Sequence, residues 1–435
     1  VLATLGFVMM VTFVVAVCSG RCSALVGLIA IPILFGLVGG FAPELPPMML
    51  KGVEKVAPTG VMLMFAILYF AVMIEAGLFD PIIRWILKLA QDDPLKIVVG
   101  TAALAMVAAL DGDGTTTYMI TASALFPLYQ RLKMNPLVLS SVAMLAFGVM
   151  NMTPWGGPMA RAVTALDVRM QDVFVPLVPV MGVGLAWTFL VAYVLGRGER
   201  RRLAAAYGDA WAKVLGEGAP QPREYPGPRS GRRGSLALNA LVTLGLMAGL
   251  LTGALPLPVL FMVAFAVALV LNHPHPSDQK ALLTKHAGNV IMVVVLVFAS
   301  GIFTGILSGT KMVDEMATSL IRLIPAAFGE HFAVITALSS LVFTYFMAND
   351  PYYYGVLPVI AKTAAGYGVE PVQIARASIL GMPMHAMSPL MAATYLLLGI
   401  TGVEFSAHQR FVFRWAAGSS LVMIAAAVVF AAIDA

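Results

Sequence analysis

Apolar residues run through this chain in blocks close to the roughly 20 residues that a helix needs to cross hydrocarbon. They lie near 2–17, 24–40, 58–78, 136–165, 174–196, 236–253, 256–272, 287–308, 371–401 and 411–432. The first block has no basic flank and reads as a retained span. Two more runs, 95–129 and 331–365, carry polar residues at their middles. The first is broken by Asp111-Gly112-Asp113-Gly114-Thr115-Thr116-Thr117 and the second by Asn349-Asp350-Pro351. A polar turn halfway along an apolar run predicts a re-entrant hairpin. Irregular backbone at that depth is tolerated only where protein or a water-filled cavity surrounds it. Runs 136–165 and 371–401 are interrupted as well, by Asn151 to Pro158 and by His385-Ala386-Met387-Ser388-Pro389, and each predicts a broken helix. The expected fold is an all-α polytopic membrane protein.

Composition agrees with the pattern. The chain is 60% hydrophobic and 11% charged, whereas soluble domains carry about 25% charged residues. That excludes a secreted disulfide scaffold, a disordered chain and a nucleic-acid binder; the first partner is the lipid bilayer. The polar stretch 197–235 is rich in Arg, Gly and Pro and reads as a cytoplasmic linker between a first half, 1–196, and a second half, 236–435. With the linker inside, most of the 27 Lys and Arg fall on inside loops. Both termini then lie outside, in a multi-pass protein of a bacterial-type plasma (inner) membrane.

The halves repeat in spacing. Pro136 and Pro154 have the same separation as Pro371 and Pro389. The same shift carries Thr153 onto Ser388 and Thr115 onto Asp350. A nearly equal shift carries Phe65-Ala66 onto Phe298-Ala299 and Phe70 onto Phe303. Each half therefore holds three spans, a hairpin (95–129 or 331–365), a broken helix (136–165 or 371–401) and a last span. Hairpins do not cross, so each half crosses an odd number of times and the second half is inverted.

Ionisable and hydroxyl groups at mid-membrane are functional candidates by default. At the first tip, Gly112 permits a tight turn, and Asp111 and Asp113 offer oxygen ligands or protonatable sites. Gly114, Thr115, Thr116 and Thr117 open a helix whose N–H groups and hydroxyls suit a carboxylate. A soluble calcium-type loop is the bland alternative, but the flanks are apolar. In the first break, Asn151 and Thr153 offer polar side chains. Pro154, Gly156, Gly157 and Pro158 loosen the backbone, although a simple proline kink explains the same residues. The second tip offers Asn349 and Asp350, with Pro351 as its hinge. Tyr352, Tyr353 and Tyr354 follow and read as an interfacial belt. In the second break, Ser388 and Pro389 match the first, and His385 is the only histidine inside an apolar run. It is a proton carrier or a neutral core histidine. Arg161 follows the first break and is free to pair with a substrate carboxylate, with Asp111 or Asp113, or to snorkel outward. Three acids and one nearby arginine repel a bare polyanion, so a cation arrives with the substrate or the acids take up protons.

These motifs resemble the citrate–metal/proton symporter family (CitMHS) of the ion transporter superfamily. The resemblance rests on Ala66 to Phe70 with Asp80-Pro81, Leu110 to Tyr118, Asn151 to Pro158, Gly301 to Gly309 and Gly402 to Phe405, and it covers almost the whole chain. It implies a secondary active symporter importing citrate or a related tricarboxylate, coupled to protons. The substrate would travel as a complex with a divalent metal (Mg or Ca type) or with ferric iron, and no prosthetic group is implied. The superfamily implies an inverted-repeat homodimer with an elevator motion. Sodium-coupled relatives carry Ser-Asn-Thr at both tips, whereas the acids of this chain fit a metal or a proton. Substrate contacts are then expected from Gly114, Thr115, Thr116, Thr117, Asn151, Thr153, Arg161, Asn349 and Ser388. Coupling is expected from Asp111, Asp113, Asp350 and His385, and hinges from Gly112, Pro154, Gly156, Gly157, Pro351 and Pro389. Two readings compete: a proton-coupled cation or oxyanion antiporter, and an intramembrane aspartyl protease using Asp113 and Asp350.

Overall fold

A computed structural model describes residues 1–19, 21–89, 93–208, 233–252, 255–323, 328–329 and 331–434. Nearly everything described is helical. The first half contributes α1 (Leu2–Cys18), α2 (Ala24–Val38), α3 (Leu45–Glu75), α4 (Asp80–Leu89), α5 (Pro94–Ala108), α6 (Gly114–Arg131), α7 (Pro136–Met150), α8 (Gly157–Leu166) and α9 (Met170–Tyr207). The second contributes α10 (Arg233–Thr252), α11 (Leu257–Asn272), α12 (Pro276–Gly309), α13 (Met312–Ile321) and α14 (Phe332–Phe346). It continues with α15 (Leu357–Ala365), α16 (Pro371–Ile379), α17 (Met382–Ala386), α18 (Ala392–Thr401) and α19 (Phe405–Val429).

Among the described residues, five segments are long and apolar enough to cross a bilayer: Leu45–Glu75, Pro94–Asp111, Met170–Tyr207, Val290–Gly309 and Phe405–Val429. Others are shorter because the chain breaks them. The run 136–165 divides into α7 and α8, and 371–401 divides into α16, α17 and α18. The helix α9 runs on to Tyr207, well into the stretch read as linker, because Arg200 pairs with Asp93 and Arg202 pairs with Glu199 at 2.8 Å. Residues 209–232 of that stretch lie outside the described residues, and its last three, 233–235, begin α10.

The helices α3 and α12 form a long crossing. Their backbones touch where Gly52 meets Gly301: a Cβ on Gly52 would stand 1.9 Å from the Gly301 carbonyl oxygen. Only glycine permits that approach, and it brings the long helices of the two halves into direct contact. At the far end of α3, Glu75 accepts from Lys285 at 2.5 Å and from His286 at 2.8 Å, which fixes the crossing's register. A second body of helices packs around α7, whose residues 138–150 are all buried. It gathers α5, α6, α9, α17, α18 and α19. A Cβ on Gly148 of α7 would fall 2.8 Å from Pro383 of α17, so first-half and second-half elements interleave here too.

Candidate functional site

The chain leaves α5 through a single 3-10 turn, Ala109–Asp111. Gly112 then takes φ +77°, a left-handed conformation that strains any other side chain, and redirects the chain into α6. Asp111 Oδ1 accepts the backbone N–H of Asp113 at 2.9 Å. Asp113 caps α6: its Oδ2 accepts from both the N–H and the hydroxyl of Thr116, each at 2.7 Å. A carboxylate is at home there, facing the orphan N–H groups of a first helical turn. The Thr117 hydroxyl donates to the Asp113 carbonyl at 2.7 Å, Gly114 is buried, and Thr115 is exposed.

The first break spans 151–156. Asn151, Thr153, Pro154 and Gly156 are buried within it. Pro158 occupies the first turn of α8, where its missing N–H costs nothing. Trp155 Nε1 donates to the Leu110 carbonyl at 2.7 Å, tying the break to the first tip. The Thr153 hydroxyl is buried with no hydrogen-bond partner.

At the second tip, α14 ends and the chain passes through Asn349 and Asp350 into a π-helical turn, Pro351–Val356. Tyr352, Tyr353 and Tyr354 are fully buried, so they form no interfacial belt. The wide turn points them into protein. Tyr352 stacks on Phe343, Tyr353 donates to the Ser378 carbonyl at 3.4 Å, and Tyr354 packs with Met9 and Phe303. The Asn349 Oδ1 is buried without a partner.

In the second break, His385 Nδ1 donates to the Thr344 carbonyl at 2.8 Å. The Ser388 hydroxyl donates to the Tyr345 carbonyl at 2.7 Å and accepts the Leu390 N–H at 3.2 Å. Those two carbonyls belong to the last turn of α14, which has no partners inside its own helix. The Pro389 carbonyl accepts from the Tyr395 hydroxyl at 2.9 Å.

Arg161 joins the halves. From α8 its Nε donates to Asp350 Oδ1 at 2.6 Å, with the side chains only 18% and 13% exposed. The guanidinium lies back along its own helix: a Cβ on Gly157 would stand 2.7 Å from Nη1. The first tip reaches the second half in return. A Cβ on Gly114 would meet Met391 at 3.0 Å and Ala393 at 3.3 Å. The first tip thus meets the second break as well as its own, and the second tip meets the helix that follows the first break.

A sequence profile described as "Citrate transporter" matches residues 1–381. A protein of Bacillus subtilis (strain 168) described as "Citrate transporter" is 53% identical over 434 residues, covering 100% of each chain. The chain belongs to the citrate transporter family. A second B. subtilis relative, described as "Mg(2+)/citrate complex secondary transporter", is 46% identical over 434 residues, covering 100% of this chain and 99% of its own. The solved YdaH transporter of Alcanivorax borkumensis shares the fold, with a TM-score of 0.59 at 13% identity over 90% of this chain and 89% of that one. Family membership makes the chain a transporter rather than an enzyme, and the protease reading falls.

Within this citrate transporter family member, Arg161 pairs with Asp350, a partner outside the alternatives that the sequence left open, and not with Asp111 or Asp113. Ser388 and His385 have partners within the protein, whereas Thr153 and Asn349 each keep a buried oxygen unpartnered. Among the described residues, no three His, Cys, Asp or Glu side chains gather as a metal site.

Two residues escaped the sequence reading. Gln409 donates to the Met387 carbonyl at 2.5 Å and accepts from the Tyr345 hydroxyl at 3.2 Å, bracing the second break against α14. His408 is fully buried in α19 with Nδ1 3.1 Å from the Ser140 hydroxyl, so His385 is not the only histidine inside a span. Both sit just before Arg410, whose charge delays the apparent start of the last apolar run.

Proposed function

We propose that the chain is a secondary symporter that imports citrate, or a related tricarboxylate, as a divalent-metal complex and with protons. The Arg161–Asp350 pair carries the reading. Held at 2.6 Å in a mostly buried setting, it is a salt bridge whose parts are costly to separate unless each finds a new partner. A substrate carboxylate is the natural new partner for Arg161. Asp350 then needs a cation, which a proton or the metal riding with the substrate supplies. Binding of anion and cation is thereby linked at one contact.

The rest of the site suits a tricarboxylate. Thr115, the exposed hydroxyl at the start of α6, and the unpartnered Thr153 and Asn349 offer further polar contacts. Asp111, Asp113 and His385 are further coupling groups. The relative described as a Mg(2+)/citrate complex transporter supports Mg2+ as the travelling metal. The matched order of hairpin, broken helix and last span in 1–196 and 236–435 supports inverted repeats. Within them, the crossing of α3 with α12 is the scaffold and the body around α7 is the moving part of a homodimeric elevator. Both termini face outside and 197–235 faces the cytoplasm. With the native cysteines removed, a cysteine placed at Arg201 then reacts with an impermeant thiol reagent only after cells are opened. Labelling of intact cells reverses the orientation.

Purified protein in proteoliposomes tests the function. Labelled citrate enters faster with Mg2+ present and an inward proton gradient imposed. Uptake indifferent to both cations sinks the mechanism.

A further inference from the structure

The shift that carries Thr153 onto Ser388 also carries Leu110 onto Tyr345. In both halves the carbonyl at that place, Leu110 or Tyr345, lies where the first arm of the hairpin ends and accepts a bond from the neighbouring break. The donors differ. In the second half it is the hydroxyl of Ser388, the residue matched to Thr153. In the first half it is the indole of Trp155, two residues further on. Trp155 has taken over the latch, and the buried hydroxyl of Thr153 is left without a partner. A buried, unpaired hydroxyl is a costly arrangement to keep unless something transient satisfies it.

The surroundings of Thr153 indicate what that is. Its carbonyl accepts the Gly156 N–H at 2.8 Å, which holds the residue in the turn that opens α8. The same helix carries Arg161, whose guanidinium folds back over Gly157 toward that turn. A free hydroxyl donor and an arginine at the head of one helix suit a carboxylate ligand. Ser388 offers no such capacity, because its hydroxyl donates to Tyr345 and accepts from Leu390.

We propose that Thr153 is a specificity-determining residue that hydrogen-bonds a carboxylate or hydroxyl of the substrate, and that Ser388 is its structural counterpart, a latch with no substrate contact. The two breaks are therefore unequal, the first supplying a substrate contact and the second a latch. The inference rests on the transport reading above.

Kinetics of Mg2+–citrate uptake in proteoliposomes test it. Thr153→Val keeps the shape and removes the hydroxyl. It raises KM about tenfold, as expected for one lost bond to a charged ligand, and Thr153→Ser restores it. Ser388→Ala lowers the melting temperature and raises KM clearly less than Thr153→Val does. A wild-type KM in Thr153→Val, or a rise in Ser388→Ala as large as in Thr153→Val, overturns the assignment. If Ser388→Ala does not fold, the stabilisation that Mg2+–citrate gives purified Thr153→Val decides. A shift smaller than wild type's supports the role, and an equal shift refutes it. Wild-type protein that takes up no Mg2+–citrate brings down the transport reading itself, a separate and recognisable failure.

Discussion

Arg161 and Asp350 come from different halves of the chain and meet at 2.6 Å, with the arginine on the helix that follows the first break and the aspartate at the second tip. No other ion pair among the described residues links a break to a tip. It ties α8 to the second tip, and it occupies the arginine on which the proposed anion binding rests.

Removing either partner leaves the other charge stranded in a setting where a lone charge is poorly tolerated. Asp350→Asn keeps a hydrogen-bond acceptor for Arg161 but removes the negative charge. It is expected to fold, with its melting temperature lowered, and to lose coupled citrate uptake. Arg161→Ala loses substrate stabilisation in a thermal-shift assay with Mg2+–citrate, because among the described residues no other arginine pairs with a tip. A normal ligand-induced shift in Arg161→Ala removes the arginine from the binding role.

Asp113 has a capping role and a proposed coupling role that one substitution separates. Its side chain caps α6, and asparagine caps a helix about as well as aspartate. Asp113→Asn therefore melts near the wild-type temperature, while Asp113→Ala is less stable by about 1 kcal/mol. Citrate uptake falls in both. If Asp113→Asn transports normally, the carboxylate is a cap and nothing more.

Gly157→Ala changes no charge and removes no hydrogen-bonding group. Its new Cβ lies 2.7 Å from Arg161 Nη1, so the guanidinium must swing away from the head of α8. Citrate affinity is expected to fall several-fold while α8 itself is intact by circular dichroism. Unchanged affinity means that the folded-back posture of Arg161 is irrelevant to binding.

Gln409 acts through Tyr345 and Met387 in a single chain of bonds. Gln409→Ala and Tyr345→Phe are each expected to lower stability by about 1 kcal/mol. The double variant should lose clearly less than their sum, the signature of one shared interaction. Additive losses in denaturant unfolding disprove the bracing role.

The crossing of α3 and α12 tolerates no side chain at its closest point. Gly52→Ala puts a methyl 1.9 Å from a carbonyl oxygen of α12, and backbone cannot move aside as a side chain can. A loss of at least about 1–3 kcal/mol follows from overpacking of this kind. A melting temperature like wild type's shows that the crossing is looser than described.

Much of this was readable in the chain. The polar residues at the middles of apolar runs marked Asp111 to Thr117, Asn151 to Pro158, Asn349 to Pro351 and His385 to Pro389, because hydropathy punishes such residues unless something gathers them. What the pattern cannot carry is pairing. Arg161 had several carboxylates within plausible reach, and only packing selects Asp350. The burial of Tyr352 to Tyr354 depends on a π-helical turn that has no period in the sequence. Ser388 and Thr153 look equivalent by spacing, and their difference rests on a single indole, Trp155, that reaches a carbonyl in one half. Gln409 and His408 were hidden by the adjacent Arg410, which made a buried helix start look like a loop.

In the proposed cycle, Asp350 takes a cation when substrate separates it from Arg161. The most direct test compares labelled citrate uptake by wild type and Asp350→Asn in proteoliposomes at saturating Mg2+, with the inward proton gradient imposed or collapsed. Wild-type uptake should be driven by the gradient, and the residual uptake of Asp350→Asn should ignore it. If the variant responds to the gradient as strongly as wild type, coupling does not pass through Asp350 and the account is wrong.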